Sequence, residues 1–115
     1  MSRIVSLTTC LVLSALLATA AAASKGDAEV GKQTYTAQCL ICHGQAGDGQ
    51  GPAGVALTPK PTDFTNAGWW AEQTDAGLMS AIKRGATGTS MKAHSMSREP
   101  LEHLVAYLRT FQPGE

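Results

Sequence analysis

Cys39-Leu40-Ile41-Cys42-His43 is the stretch on which the reading of this 115-residue chain turns. Two thiols three positions apart, followed at once by an imidazole, have the spacing that attachment of a c-type haem requires. Each sulfur can add across one vinyl group of the same haem, and His43 then stands close enough to offer a ring nitrogen to the iron. Paired cysteines also serve as redox dithiols, as half of a zinc site or as a local disulfide. A dithiol motif wants a preceding strand in a βαβ setting, whereas the residues before Cys39 have helical character. A zinc site would need a fourth ligand, which only His94 or His103 could supply. The five residues are read as a covalent clamp with one axial ligand.

Toward the N-terminus, Arg3 precedes a mostly apolar run from Ile4 to Leu17, and the small residues from Ala18 onward end in Ala21-Ala22-Ala23. This is the pattern of a secretory signal over residues 1–23, which places the mature domain, residues 24–115, in the periplasm. The run approaches the length of a membrane anchor, but its repeated Ser and Thr and its alanine tail favour cleavage, after which no membrane span is expected. Cys10 leaves with the signal. Cys39 and Cys42 are then the only cysteines, and a disulfide framework is excluded.

Cleavage leaves 92 residues, enough for one small domain. Six of them are aromatic, namely Tyr35, Phe64, Trp69, Trp70, Tyr107 and Phe111, which is a thin stock for a core. A haem would supply the missing interior. Burying on the order of 400 Å² of it at roughly 25 cal/mol per Å² is worth ~10 kcal/mol, comparable with the net stability of a domain. The haem-free chain is therefore expected to be largely unfolded. Eight Lys and Arg against nine Asp and Glu make neither nucleic acid nor an anionic membrane surface an evident target.

The first helix is expected to start at Asp27, whose carboxylate can cap the amides of Glu29 and Val30, and to run to Ala37 or Gln38. Gly31 and Tyr35 lie four apart on one of its faces. Glycines and prolines make Gly44 to Thr65 a loop with at most a short turn. It wraps the haem on the His43 side, with Leu57 and Phe64 turned inward. A backbone carbonyl there must orient the imidazole through its other nitrogen, and Pro52 is the candidate. Trp69 and Trp70 either close this loop or pack in the core. A second helix follows Thr74 as cap, buries Leu78, Met79 and Ile82, and ends at Lys83-Arg84-Gly85. The segment from Ala86 to Met91 has no periodicity and can carry a thioether to a fixed point. In the last helix Ser97 caps, Pro100 is tolerated in the first turn, and Leu101, Leu104, Val105 and Leu108 form the apolar stripe. Met96 is placed to staple onto it.

Over essentially the whole mature chain these features resemble the class I cytochromes c. The resemblance rests on Cys39-x-x-Cys42-His43-Gly44 after a short helix, the Gly/Pro loop, Gly85-x-x-Gly88-Thr89-Ser90-Met91, and Leu104-Val105-Ala106-Tyr107-Leu108 in a terminal helix. It implies an all-α cytochrome c fold around one haem c, covalently bound through Cys39 and Cys42, with His43 and Met91 as metal ligands. It also implies that the Gly31 and Tyr35 face crosses the terminal helix near Tyr107. Lys92 departs from the family, in which proline usually follows the ligand methionine, and leaves Met96 and His94 as other candidates for the distal position.

With both axial positions filled, and a thioether raising the potential, the expected role is a monomeric, non-enzymatic carrier of single electrons. It would pass them between redox partner proteins through the exposed haem edge, where Lys60, Lys83, Arg84 and Lys92 could steer an acidic partner. A haem subunit of a periplasmic oxidoreductase complex is the alternative. A haem sensor or peroxidase-like protein is a third, and it needs a sixth ligand that leaves easily.

Overall fold

The computed structural model describes residues 25–114. The expected signal segment over residues 1–23, with Cys10, lies outside the described residues. Those residues form helices and turns with no strand, in the order α1 (Ala28–Gln38), α2 (Leu40–His43), α3 (Ala67–Trp70), α4 (Asp75–Arg84) and α5 (Arg98–Leu108). Single 3₁₀ turns stand at Gly54–Ala56 and Arg109–Phe111. The chain has the all-α architecture expected from its sequence.

Local chemistry sets the helix ends. The Asp27 carboxylate accepts from the amides of Glu29 and Val30, so α1 begins where its cap requires. Thr74 Oγ1 accepts from Gly77 N at 3.0 Å and opens α4. That helix stops at Gly85, whose φ of +71° few side chains tolerate. Ser97 occupies the cap position of α5, but its hydroxyl makes no capping bond, contrary to expectation. Pro100, at the third position of the helix, has no N–H to give, which removes one of the two amides such a hydroxyl can cap.

α1 and α5 cross, and the crossing is the centre of the fold. Tyr35, Leu101, Leu104 and Val105 are almost fully buried there. Gly31 lies at the point of contact, where a Cβ would run into the carbonyl of His103. Close approach of the two backbones thus accounts for a glycine that costs about 1 kcal/mol relative to alanine inside a helix. The Tyr35 ring packs 5.1 Å from Tyr107 and 5.4 Å from Phe111, as the position of the Gly31 and Tyr35 face implied. Asp27 N donates to His103 Nδ1 at 2.8 Å and ties the start of α1 to the same helix.

α3 is a short helix that the sequence reading does not anticipate. Asn66 Oδ1 caps it through Trp69 N, and Trp70 is buried, with Nε1 donating to Phe64 O at 2.6 Å. Trp70 is therefore a core residue, while Trp69 is half-buried against it at 4.8 Å. Arg109 lies over the Trp70 ring and pairs with Asp75 in the first turn of α4. Met79 and Met96 are both half-buried against the core, as expected of an apolar face and a staple.

Candidate haem site

Cys42 sits on the single turn of α2 and Cys39 at its N-cap, and the four carbonyls of that turn are all claimed by the loop that follows. Gly44 N donates to Leu40 O, Ala53 N to Ile41 O, Gly51 N to Cys42 O and Gly49 N to His43 O, at 2.8–3.0 Å. A four-residue helix has little stability of its own. These bonds hold it by satisfying the acceptors it would otherwise leave open.

They also decide which carbonyl meets the imidazole. Gly51 and Ala53 are pinned to α2 by these bonds, and Pro52 between them is exposed. The loop then doubles back, with Phe64 N donating to Gly47 O at 2.7 Å. This places Thr62 O 3.2 Å from His43 Nδ1. Thr62, not Pro52, is the acceptor. A carbonyl only accepts, so Nδ1 carries the hydrogen and Nε2 carries the lone pair. Phe64 stacks on the ring at 4.7 Å and 18° and fixes its plane. Burial lowers the His43 pKa; the Thr62 carbonyl opposes this and nearby His94 adds to it, so the imidazole is neutral and able to ligate at neutral pH.

Cys39 is pushed up to about 11 by burial and by the neighbouring Cys42 thiol. So weakly acidic a thiol is a poor nucleophile for exchange, which opposes the dithiol reading. Among the described residues no three His, Cys, Asp or Glu side chains gather as a metal site, so the zinc alternative has no further ligands to draw on.

Cys39, Cys42, His43 and Met91 all line one cavity of about 460 Å³. Its walls are largely apolar, from Leu57, Phe64, Ile82, Leu104 and Leu108. Met91 arrives on a loop closed by Ala86 N to Met91 O at 3.0 Å, and Thr89 Oγ1 accepts from Met91 N at 3.1 Å. His94 lines the same cavity, and Met96 does not. Two thiols on one helical turn, a neutral imidazole with an oriented lone pair, a thioether and an apolar wall make a donor set that fits a c-type haem.

A family model described as cytochrome c oxidase, cbb3-type, subunit III matches residues 26–108. The chain belongs to this family of c-type cytochrome domains. It is also 30% identical over 95 residues to cytochrome c-554(547) of Halothiobacillus neapolitanus, across 76% of this chain and 99% of the relative. Among solved structures it is similar to a chain of the reducing HAO-like protein complex of Kuenenia stuttgartiensis, at 26% identity and a TM-score of 0.65. That match covers 75% of this chain but only 43% of the solved one, so the small cytochrome spans less than half of that neighbour. A cytochrome c domain implies haem c as cofactor and electron transport as the broad role.

Two features of this site had no local signal in the sequence. Thr62 lies 19 residues from His43 and meets it only because the loop doubles back. Gln38, whose Oε1 lies 3.2 Å from His94 Nδ1, is 56 residues from its partner.

Proposed function

We propose that the cytochrome is a periplasmic single-electron carrier holding one haem c through thioether links to Cys39 and Cys42, with His43 and Met91 as axial ligands. The observation that carries this reading is the convergence of those four side chains, from two distant parts of the sequence, on one apolar cavity. Haem c, when bound, supplies a one-electron couple. The chain supplies the rest. Thr62 and Phe64 hold the His43 ring so that its lone pair faces inward. Met91 offers a soft sulfur that favours the ferrous state, and Leu57, Phe64 and Leu104 exclude water and disfavour the extra charge of the ferric state. With His43 and Met91 both ligating, small oxidants would find no open site.

Of the four cations expected near the haem edge, Lys60 and Lys92 line the cavity, while Lys83 and Arg84 stand exposed at the end of α4. Lys60 and Lys92 are therefore the residues that would meet an acidic partner. Among the described residues no helix is long and apolar enough to cross a membrane. Cleavage after Ala23 would release the domain as a monomeric shuttle.

The test is a redox titration with spectra of both states, together with the mass of the mature protein. The expected result is a single one-electron transition, low-spin six-coordinate spectra throughout, an N-terminus at Ser24 and a mass equal to that of the processed peptide plus one haem. A colourless product with the mass of the bare peptide would refute it. The matching family description and the solved complex also support a second reading, as the haem subunit of a larger oxidoreductase. Co-migration with a larger enzyme on native gels of cell extract would favour that role, and migration alone the free shuttle.

A further inference from the structure

His94 lies on the wall of the same cavity as the cysteine pair and Met91, and is half-buried there. Its Nδ1 is 3.2 Å from Gln38 Oε1. The amide oxygen can only accept, so Nδ1 carries the hydrogen and the lone pair falls on Nε2. This repeats the arrangement of His43 against Thr62. An imidazole that gives its other N–H to an oxygen is oriented as metal-bound imidazoles are, with the hydrogen bond fixing the tautomer. The third histidine of the chain differs on each point. His103 Nδ1 accepts from Asp27 N, which fixes the opposite tautomer, and it does not line the cavity.

The two distal candidates are also held differently. Gln38 adjoins Cys39, so its bond ties His94 directly to the clamp. The His94 backbone is pinned on both sides, its N–H to Ile82 O and its carbonyl to Met96 N, each at 3.0 Å. The Met91 backbone is also bonded on both sides, but only to Ala86 and Thr89 of its own exposed loop, whereas His94 is tied to α4 and, through Gln38, to α1; Lys92 after Met91 leaves that loop without the stiffness a proline would give.

We propose that His94 is a reserve distal ligand, its Nε2 taking the place of the Met91 sulfur whenever that sulfur is withdrawn. The exchange changes no oxidation state. One lone pair replaces another, the site stays closed to small molecules, and a harder nitrogen donor lowers the potential. This rests on the reading of His43 and Met91 as the resting pair.

The test uses mature haem-loaded protein carrying Met91→Leu, which conserves volume, and Met91→Ala as a second route should the first fail to mature. Each is made with and without His94→Leu. Both single Met91 variants are expected to remain six-coordinate and low-spin, with a midpoint potential below that of wild type. Carbon monoxide should bind their reduced forms about tenfold or more weakly than the double variants, because only the five-coordinate fraction is competent. The double variants should be high-spin. Met91 variants that turn high-spin and bind carbon monoxide as the doubles do would overturn the proposal and leave the resting pair intact. Met91 variants identical to wild type would remove Met91 from the ligands, and the proposal with it.

Discussion

Replacing Gly31 by alanine should destabilise the protein, although alanine is the better helix former. The added Cβ would overlap the His103 carbonyl and come within 2.9 Å of Leu104 N. A carbon and a carbonyl oxygen settle at about 3.3 Å or more, and both obstacles are backbone, so no rotamer change relieves the overlap. α1 and α5 must part, and a gap on the order of 1 Å forfeits a quarter to a half of the dispersion energy across a contact. Around Gly31 that contact includes Tyr35, Leu104 and Val105, each at most 1% exposed. Overpacking of this kind costs up to about 3 kcal/mol, against which alanine returns about 1 kcal/mol of helix propensity. The net loss is ~2 kcal/mol, or roughly 8–16 °C in Tm for a domain of this size. Thermal unfolding of the haem-loaded protein, followed by far-UV circular dichroism, measures it. The sign decides the matter: a variant that melts at or above wild type would show that propensity governs this position and that the helix crossing does not.

Four further outcomes follow from the same geometry. Replacing Cys39 and Cys42 by alanine, so that no haem is attached, should abolish the cooperative melt. At about 24 cal/mol per Å³ the cavity of about 460 Å³ costs up to ~11 kcal/mol, as much as a whole domain has to give; a sharp calorimetric transition in that variant would contradict this. Acid should unfold the holoprotein as follows. Burial lowers the folded pKa of His43, and ligation to the haem iron would oppose its protonation in the same direction, so the unfolded chain binds the proton more readily and the stability His43 provides is complete above about pH 6.5 and lost as pH falls through the lowered value; midpoint denaturant concentrations measured across that range should decline toward acid and not rise. Asp27→Ala removes the acceptor for Glu29 and Val30 and should lower stability by about 1 kcal/mol in urea unfolding, with the visible spectrum unchanged. Electron transfer to an acidic partner should slow as salt is added, and more steeply in wild type than in Lys60→Gln plus Lys92→Gln; rates indifferent to ionic strength would remove the steering role.

What could be read from the sequence was what neighbouring residues decide between themselves. The Asp27 and Thr74 caps, the stop at Gly85 and the stripe from Leu101 to Leu108 all depend on contacts within one or two helical turns, and the structure has them where they were expected. The absent N–H of Pro100 was legible too, and it removes one of the two amides that Ser97 could have capped. Gly31 was different. Its helix alone gives no reason for a glycine, and the reason lies in a backbone 72 positions away at His103. The choice of Thr62 over Pro52 depended on the route of a whole loop, set by bonds such as Phe64 N to Gly47 O that join segments with no local pattern. The Gln38 and His94 pair is of the same kind.

The Tyr35 hydroxyl donates to Gly44 O at 2.6 Å, on the residue that follows His43. One side chain thus has its ring wedged between the crossing helices and its oxygen on the backbone beside the His43 imidazole, so with His43 ligating as proposed it would work as a lever from scaffold to metal. Drift in the angle between α1 and α5 would be felt as a tilt of that ligand. Evolution could therefore retune the midpoint potential by exchanging residues in the crossing, leaving every group that touches the cofactor as it is.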